Sequence, residues 1–81
     1  MSKYTEKEEK EFNKRLQSWK KQLTKILSDE RYDSINVSDI EYSTLKILGN
    51  AESYKDINSY LWNGGIDIVF KNIKEKMKMV R

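Results

Sequence analysis

Apolar residues recur at helical spacing in two long segments, one near each end of the chain. In the first segment they are separated by steps of 4, 3, 4 and 3 residues, which is the spacing of a heptad seam. This seam consists of Phe12, Leu16, Trp19, Leu23 and Ile26. The apolar side of the last segment consists of Ile66, Val69, Phe70, Ile73, Met77 and Val80. We therefore expect a long N-terminal helix and a C-terminal helix that pack their apolar sides against each other.

Capping boxes predict where the first two helices begin. In such a box a Ser or Thr hydroxyl and a Glu three residues later each accept a backbone N–H. The sequence contains two such pairs, Thr5 with Glu8 and Ser38 with Glu41. They predict a first helix over residues 5–29 and a second over residues 38–48. Gly49 and Asn50 should end the second helix in a left-handed stop. Its apolar half should comprise Ile40, Leu45, Ile47 and Leu48.

The remaining sequence predicts two more helices. A third, short helix should run over residues 53–62. Its apolar face would consist of Tyr54, Ile57 and Leu61. The run NGG at 63–65 should end this helix, and a fourth helix should follow over residues 66–80. The predicted fold is therefore all-α, with residues 1–81 forming a single domain that is a bundle of about four helices.

An α+β fold is the alternative. Residues 66–70 read IDIVF, which is rich in β-branched side chains and alternates in the manner of a strand. Paired with residues 33–37, this segment could form a small two-stranded sheet. The helical pattern continues over fifteen residues and the strand pattern over five, so the helix is favoured.

The expected length of the first helix bears on the oligomeric state. A helix of about 25 residues is ~37 Å long. A compact chain of this size has a diameter near ~30 Å. The N-terminal turns should therefore project into solvent or be covered by a second copy. Because Phe12 heads the heptad seam, a homodimer is a reasonable expectation.

The composition excludes most catalytic machinery. The chain has no Cys and no His, which removes Cys/His zinc sites, Cys–His and Ser–His nucleophiles and the commonest acid–base side chain. The glutamates of the first helix lie in its solvated turns, and NGG lacks the glycine spacing of a phosphate-binding loop. The acidic group at Asp29, Glu30 and Asp33 does not match a calcium loop. We therefore expect no enzymatic activity, no catalytic residue, no metal and no cofactor.

Hydropathy and the N-terminal residues predict the compartment. No apolar run approaches the ~18–20 residues that span a bilayer. The opening MSKYTEKEEK is charged throughout, unlike a secretory signal. Together with the absence of Cys, these features predict a soluble, cytoplasmic protein and give little reason to expect peripheral membrane contact.

Charge is distributed unevenly along the chain. Residues 1–30 carry eight basic and six acidic residues, residues 31–70 three and six, and residues 71–81 five and one. On the last helix a cationic side lies opposite the apolar one; it consists of Lys71, Lys74, Lys78 and Arg81. Lys14 and Lys21 occupy a similar position on the first helix. These basic residues are either ordinary solvated surface or a docking site for an acidic partner. Phosphates of a nucleic acid are one such partner, so RNA or DNA binding is the alternative function.

Three aromatic residues fall outside the predicted apolar faces, namely Tyr42, Tyr60 and Trp62. Exposed Tyr and Trp often carry the binding energy of protein interfaces. A short helix packed on two sides would instead bury them. The leading hypothesis is a small non-enzymatic protein that binds and modulates another protein, with these aromatics as its anchors.

The opening MSKYTEKEEKEF and a composition rich in Lys, Ile, Asn and Tyr resemble, in style, the small accessory proteins of T-even-like bacteriophages. The resemblance implies a regulatory protein that binds a host or phage protein, such as a polymerase modifier, a toxin antagonist or a lysis regulator. It involves no shared motif, so it assigns no role to any residue.

Overall fold

A computed structural model describes residues 4–80, and in this range the chain forms three α-helices and no strand. The helices are α1, Glu6–Leu27, α2, Asp39–Asn50, and α3, Ile66–Lys78. The connections contain two short 3₁₀ turns and one wide, kinked turn: Glu30–Ser34, Tyr54–Asp56 and Leu61–Gly65. The all-α class is therefore confirmed.

Both predicted capping boxes are present. At the start of α1 the Thr5 hydroxyl accepts the backbone N–H of Glu8 at 3.2 Å, and the Glu8 carboxylate accepts that of Thr5 at 3.3 Å. At the start of α2 the same pair of bonds joins Ser38 and Glu41, at 3.2 and 2.9 Å. Each box satisfies two backbone donors that the helix itself leaves unpaired, which is why both helices begin where they do.

The prediction of four helices is wrong, because residues 53–62 do not form one helix. The turn Tyr54–Asp56 is followed by an extended residue, Ile57, with φ −103° and ψ 129°. Helical structure resumes after Asn58, whose side-chain oxygen accepts the N–H of Leu61 at 3.1 Å. This cap was not recognised in the sequence. From Ser59 the helical path runs through the kinked turn directly into α3.

The glycines act differently from the prediction. Within the NGG run, Asn63 has φ −82° and ψ 30°, and Gly64 has φ 103°, so the chain bends without ending its helical course. A φ in the left-handed region is costly for any residue with a Cβ, which explains a glycine at position 64. Gly49, by contrast, lies inside α2, which continues to Asn50. The predicted left-handed stop at Gly49 and Asn50 is therefore wrong.

The strand alternative is also wrong. Residues 66–70 form the first turns of α3, and residues 33–37 leave a 3₁₀ turn without pairing to a strand in the described part of the chain. A strand over 66–70 would have placed Ile66, Ile68 and Phe70 on one side. In α3 the side chains of Ile66 and Phe70 are buried and that of Ile68 is exposed, as a 3.6-residue period requires.

The first and last helices run parallel, with α2 antiparallel to both. Trp19 Nε1 donates to Asp67 Oδ1 at 3.1 Å, and further towards the C-terminus of both helices Lys74 Nζ donates to Gln22 Oε1 at 3.2 Å. On α2 the order is reversed, since Glu41 at its start meets Lys76 near the end of α3. The chain therefore reverses direction between α1 and α2 and again between α2 and α3.

The core joins the two predicted apolar stripes. Its buried members from α1 and α3 are Leu16, Trp19, Leu23, Ile26, Ile66, Val69, Phe70, Ile73 and Met77. Further buried members are Leu45, Leu48, Ala51, Ile57 and Leu61. Each fully buried Leu or Ile contributes roughly 1.5–3 kcal/mol relative to an exposed one. In the described residues every buried side-chain nitrogen or oxygen has a hydrogen-bond partner.

The N-terminal half of α1 is covered by the chain itself. Residues between α2 and α3 pass along it, and the rings of Tyr54 and Trp62 lie 5.4 and 5.1 Å from the ring of Phe12. The molecule is elongated, at 49 × 20 × 18 Å, and this length accommodates α1. The N-terminal turns of α1, whose expected projection favoured a homodimer, are therefore covered within one chain. The homodimer stays a prediction without that support.

Candidate functional site

Of the three candidate anchors, Trp62 lies at the edge of the core. It is half-buried, and its ring centroid is 4.9 Å from that of Trp19 as well as close to Phe12. Its Nε1 donates to the carbonyl of Tyr54 at 3.2 Å. These contacts hold the indole in place from several sides, so Trp62 contributes to the stability of the fold.

Arg15 closes this aromatic cluster from the solvent side. Its guanidinium carbon lies 4.9 Å from the ring of Trp19 and 5.2 Å from that of Trp62, within the range of cation–π attraction. Its Nη2 also donates to the Trp62 carbonyl at 2.9 Å. One cation therefore fixes both the ring and the backbone of the segment that leads into the kinked turn.

Tyr42 lies on a different side of the molecule from Tyr60. Its side chain is 56% exposed and lies near Tyr32, and it does not line the groove that contains Tyr60. Burial, followed by the nearby Tyr42, Asp33 and Glu41, raises the pKa of Tyr32. The structure therefore does not bring Tyr42 and Tyr60 together on one surface.

Tyr60 instead meets two isoleucines from other elements. Tyr60, Ile40 on α2 and Ile68 on α3 line one groove and are 71%, 70% and 59% exposed. We call these three residues the Tyr60 patch. The backbone of Gly65 forms part of the groove, and a Cβ at this position would meet the Tyr60 carbonyl at 3.2 Å and its ring at 3.3 Å. The absence of a side chain at Gly65 therefore leaves room for the backbone and ring of Tyr60 at this position.

Two members of this patch were not predicted. Ile40 was assigned to the apolar half of α2, and Ile68 was considered only as part of a strand. On α3, Ile68 falls outside the apolar stripe defined by Ile66, Val69 and Ile73, so helical spacing alone marked it as exposed. No comparable signal existed for Ile40, because the buried side of α2 depends on the tertiary packing. Ile47 is likewise exposed and not core.

The predicted cationic residues lie along α1 and α3. Lys14 and Lys21 line a shallow groove on α1 together with Lys10, Asn13, Gln17 and Ser18. Lys74 and Lys78 line a second groove with Lys25 and Gln22 of α1. Lys71 is exposed one turn before Lys74. Arg81 lies outside the described residues.

The second groove also contains an ion pair. Arg31 Nη2 and Asp29 Oδ2 are 2.8 Å apart, and hydrogen bonds from the Arg31 side chain and backbone lower the pKa of Asp29 to about 2. Asp29 therefore remains ionised and neutralises Arg31. The excess positive charge of this groove comes from its lysines.

Glu41 is the buried charge of the structure. Its side chain is 8% exposed, and Lys76 Nζ lies 2.8 Å from its Oε2. Burial by itself raises the pKa of Glu41, but the hydrogen bonds from Lys76 and from the Ser38 backbone, with the charge of Lys76, lower it further than burial raises it. Lys76 thus connects the end of α3 to the start of α2.

Residues 4–80 contain neither a candidate metal site nor a helix that could cross a membrane. No group of three or more acidic, His or Cys side chains is arranged to hold a metal ion in this range. None of the helices there combines the length and the apolar character that crossing a bilayer requires.

Comparison of the chain with protein-family models, with curated proteins and with solved structures gave no match.

Proposed function

We propose that this chain is a small, non-enzymatic regulatory protein that binds another protein through the Tyr60 patch. The observation that carries the proposal is the convergence of three large, mostly exposed apolar side chains on one groove. Scattered exposed apolar residues are normal on a soluble surface, whereas clustered ones mark interaction sites. Tyr is also among the residues that most often dominate interface energies.

The size of the groove favours a protein partner over a small ligand. Its volume is about 180 Å³. Pockets that enclose small molecules usually measure ~300–1,000 Å³. A groove of this size accepts one apolar side chain of a partner, while Ile40 and Ile68 extend the contact on either side.

The electrostatics of the carboxylates support a role without catalysis. A carboxyl group acts as a general acid at neutral pH when its surroundings raise its pKa. The pKa values of Asp29, Glu41 and Asp56 are all lowered by hydrogen bonds to neighbouring groups. Since the chain also lacks Cys and His, the proposed role is that of an inhibitor or adaptor. The phage accessory type is the one that the resemblance of its opening residues and composition implies.

Affinity capture with matched variants tests this proposal. Tagged wild-type protein, Tyr60→Ala with Ile68→Ser, and Met79→Ala would be incubated with nuclease-treated extract of the source organism. Met79 is the control because it is 85% exposed and does not line the groove. We expect one partner to be retained by the wild type and by Met79→Ala, and lost with the double variant. A partner retained equally by all three would refute the assignment to the Tyr60 patch.

A further inference from the structure

Positive charge is concentrated on the facing parts of α1 and α3. Residues 13–27 contain five basic residues and no acidic one, and residues 71–80 contain four lysines and one glutamate. Because α1 and α3 run parallel and are joined by the Gln22–Lys74 hydrogen bond, the two basic segments lie side by side. Lys76 is excluded from this set, since it is paired with Glu41.

Helix stability does not account for this arrangement. Like charges four residues apart destabilise a helix by ~0.2–0.5 kcal/mol a pair. Three such pairs occur here: Lys10 with Lys14, Lys21 with Lys25, and Lys74 with Lys78. Attraction to the helix dipole acts only within the last turn, so it explains Lys25 and Lys78 but not Lys10, Lys14 or Lys21. Glu6, Glu11 and Glu75 lie three or four residues from Lys10, Lys14 and Lys78. Lys21 and Lys74 have no carboxylate at that spacing, so they face only like charges in the absence of an anionic partner.

The geometry joins them into one surface, which we call the lysine face. It consists of Lys10, Lys14, Lys21, Lys25, Lys74 and Lys78, which line the two adjoining grooves on α1 and between α1 and α3. From Lys10 to Lys25 the row is about 22 Å long, at the helical rise of 1.5 Å per residue. A duplex presents a phosphate charge every ~1.7 Å along its axis, so phosphates are available along the full row.

The chemistry of the lysine face distinguishes a nucleic acid from an acidic protein. The groove on α1 is lined only by lysines and by Asn13, Gln17 and Ser18. A protein interface would require an apolar centre, which this groove does not offer. The apolar side chains of the second groove, Ile26 and Met77, belong to the core and are only 4% and 5% exposed. The grooves of the lysine face contain no aromatic residue in the described chain, so bases have no ring to stack on. We propose that the lysine face binds the sugar–phosphate backbone of a nucleic-acid duplex without selecting its sequence.

The salt dependence of binding tests this proposal. Binding of a fluorescent 20-base-pair DNA duplex of mixed sequence would be followed by anisotropy at several salt concentrations. With six phosphate contacts, log K should fall against log salt with a slope of about −5, which is a loss of roughly a thousandfold between 50 and 200 mM. Lys21→Gln with Lys25→Gln should reduce the slope by about 2. Removing the two charges relieves their repulsion but also removes the attraction of Lys25 to the helix dipole, so the stability of the variant should stay within about 0.5 kcal/mol of the wild type.

Lys46→Gln with Lys55→Gln is the matched control, because both residues are exposed and neither lines the lysine face. This variant should bind the duplex with the wild-type slope, and so should Tyr60→Ala, which separates the lysine face from the Tyr60 patch. A polyglutamate chain of similar length is the second probe, and it should bind far more weakly. The proposal is overturned by no binding of the duplex at 50 mM salt, by an equal effect of the control pair, or by polyglutamate binding as tightly as DNA.

Discussion

Replacing Trp62 by alanine should greatly lower the free energy of unfolding, although Trp62 is only half-buried. The substitution removes ring contacts with Phe12 and Trp19, both at centroid distances near 5 Å. It also leaves the Tyr54 carbonyl without its indole donor and Arg15 without one of its two rings. Buried Trp→Ala changes cost about 3–5 kcal/mol. Because part of the ring is exposed, we expect about 3 kcal/mol.

This loss is large for a chain of 81 residues. Domains of this size have a total stability of roughly 4–12 kcal/mol. Each kcal/mol shifts the melting temperature by about 4–8 °C, so Trp62→Ala should lower it by about 12–24 °C. Urea unfolding followed by circular dichroism measures the free energy, and a thermal scan measures the melting temperature.

Tyr60→Ala is the matched control, because it removes a neighbouring aromatic ring that is mostly exposed. We expect its stability to stay within about 0.5 kcal/mol of the wild type. A loss of less than 1 kcal/mol for Trp62→Ala, or equal losses for the two variants, would refute the conclusion that Trp62 stabilises the fold and Tyr60 does not.

Three further substitutions test other parts of the fold by urea unfolding. Glu41→Gln should cost about 1–2 kcal/mol at pH 7, since it removes the charge that pairs with Lys76. Because the pKa of Glu41 is lowered in the folded state, its carboxylate stabilises the fold above the ordinary Glu pKa, and this stabilisation is lost as the pH falls through the lowered pKa. The difference in unfolding free energy between Glu41→Gln and the wild type should therefore shrink in acid. A difference that stays constant with pH would contradict the pairing with Lys76. Gly64→Ala should destabilise by about 1–2 kcal/mol through its φ of 103° alone, because the space around a Cβ there is open. Gly49→Ala should stabilise the fold by about 0.4–1 kcal/mol, since its Cβ would make only an ordinary contact of 3.5 Å with Leu23. If both glycine substitutions changed the free energy of unfolding in the same direction, the left-handed backbone assigned to Gly64 alone would be contradicted.

The parts of the fold that were predictable depend on local interactions. A capping box involves residues three apart, so Thr5 and Glu8 could be recognised without knowing anything else about the structure. The heptad spacing from Leu16 to Ile26 identified the buried side of α1 for the same reason.

The connection between α2 and α3 could not be predicted in this way. The sequence predicts a helix that begins at Ser53, but the backbone N–H groups of Ser53 and Glu52 are bound by the Asp56 carboxylate in a turn, at 3.1 and 2.8 Å. The helical course begins at a second polar residue, Asn58. Both residue types favour caps and turns equally, and the choice between them is made by the packing of Tyr54 on α1.

The candidate sites depend on tertiary structure to a greater degree. Tyr60 and Trp62 are two residues apart, so a helix points them in different directions, but the sequence does not say which one faces the core. The direction of α3 relative to α1 determines that Lys74 and Lys25 share a groove. Neither the Tyr60 patch nor the lysine face could therefore be assembled before the helices were placed.

Site-specific photo-crosslinking at Tyr60 tests the proposed function most directly. Tyr60 would be replaced by a benzophenone amino acid in one variant, and the exposed Met79 in a control variant. Both would be irradiated in extract of the source organism, and the products would be separated by mass. The proposed docking role predicts a single crosslinked protein with the probe at position 60 and none with the probe at position 79. No crosslink at position 60, or the same products from both positions, would contradict it.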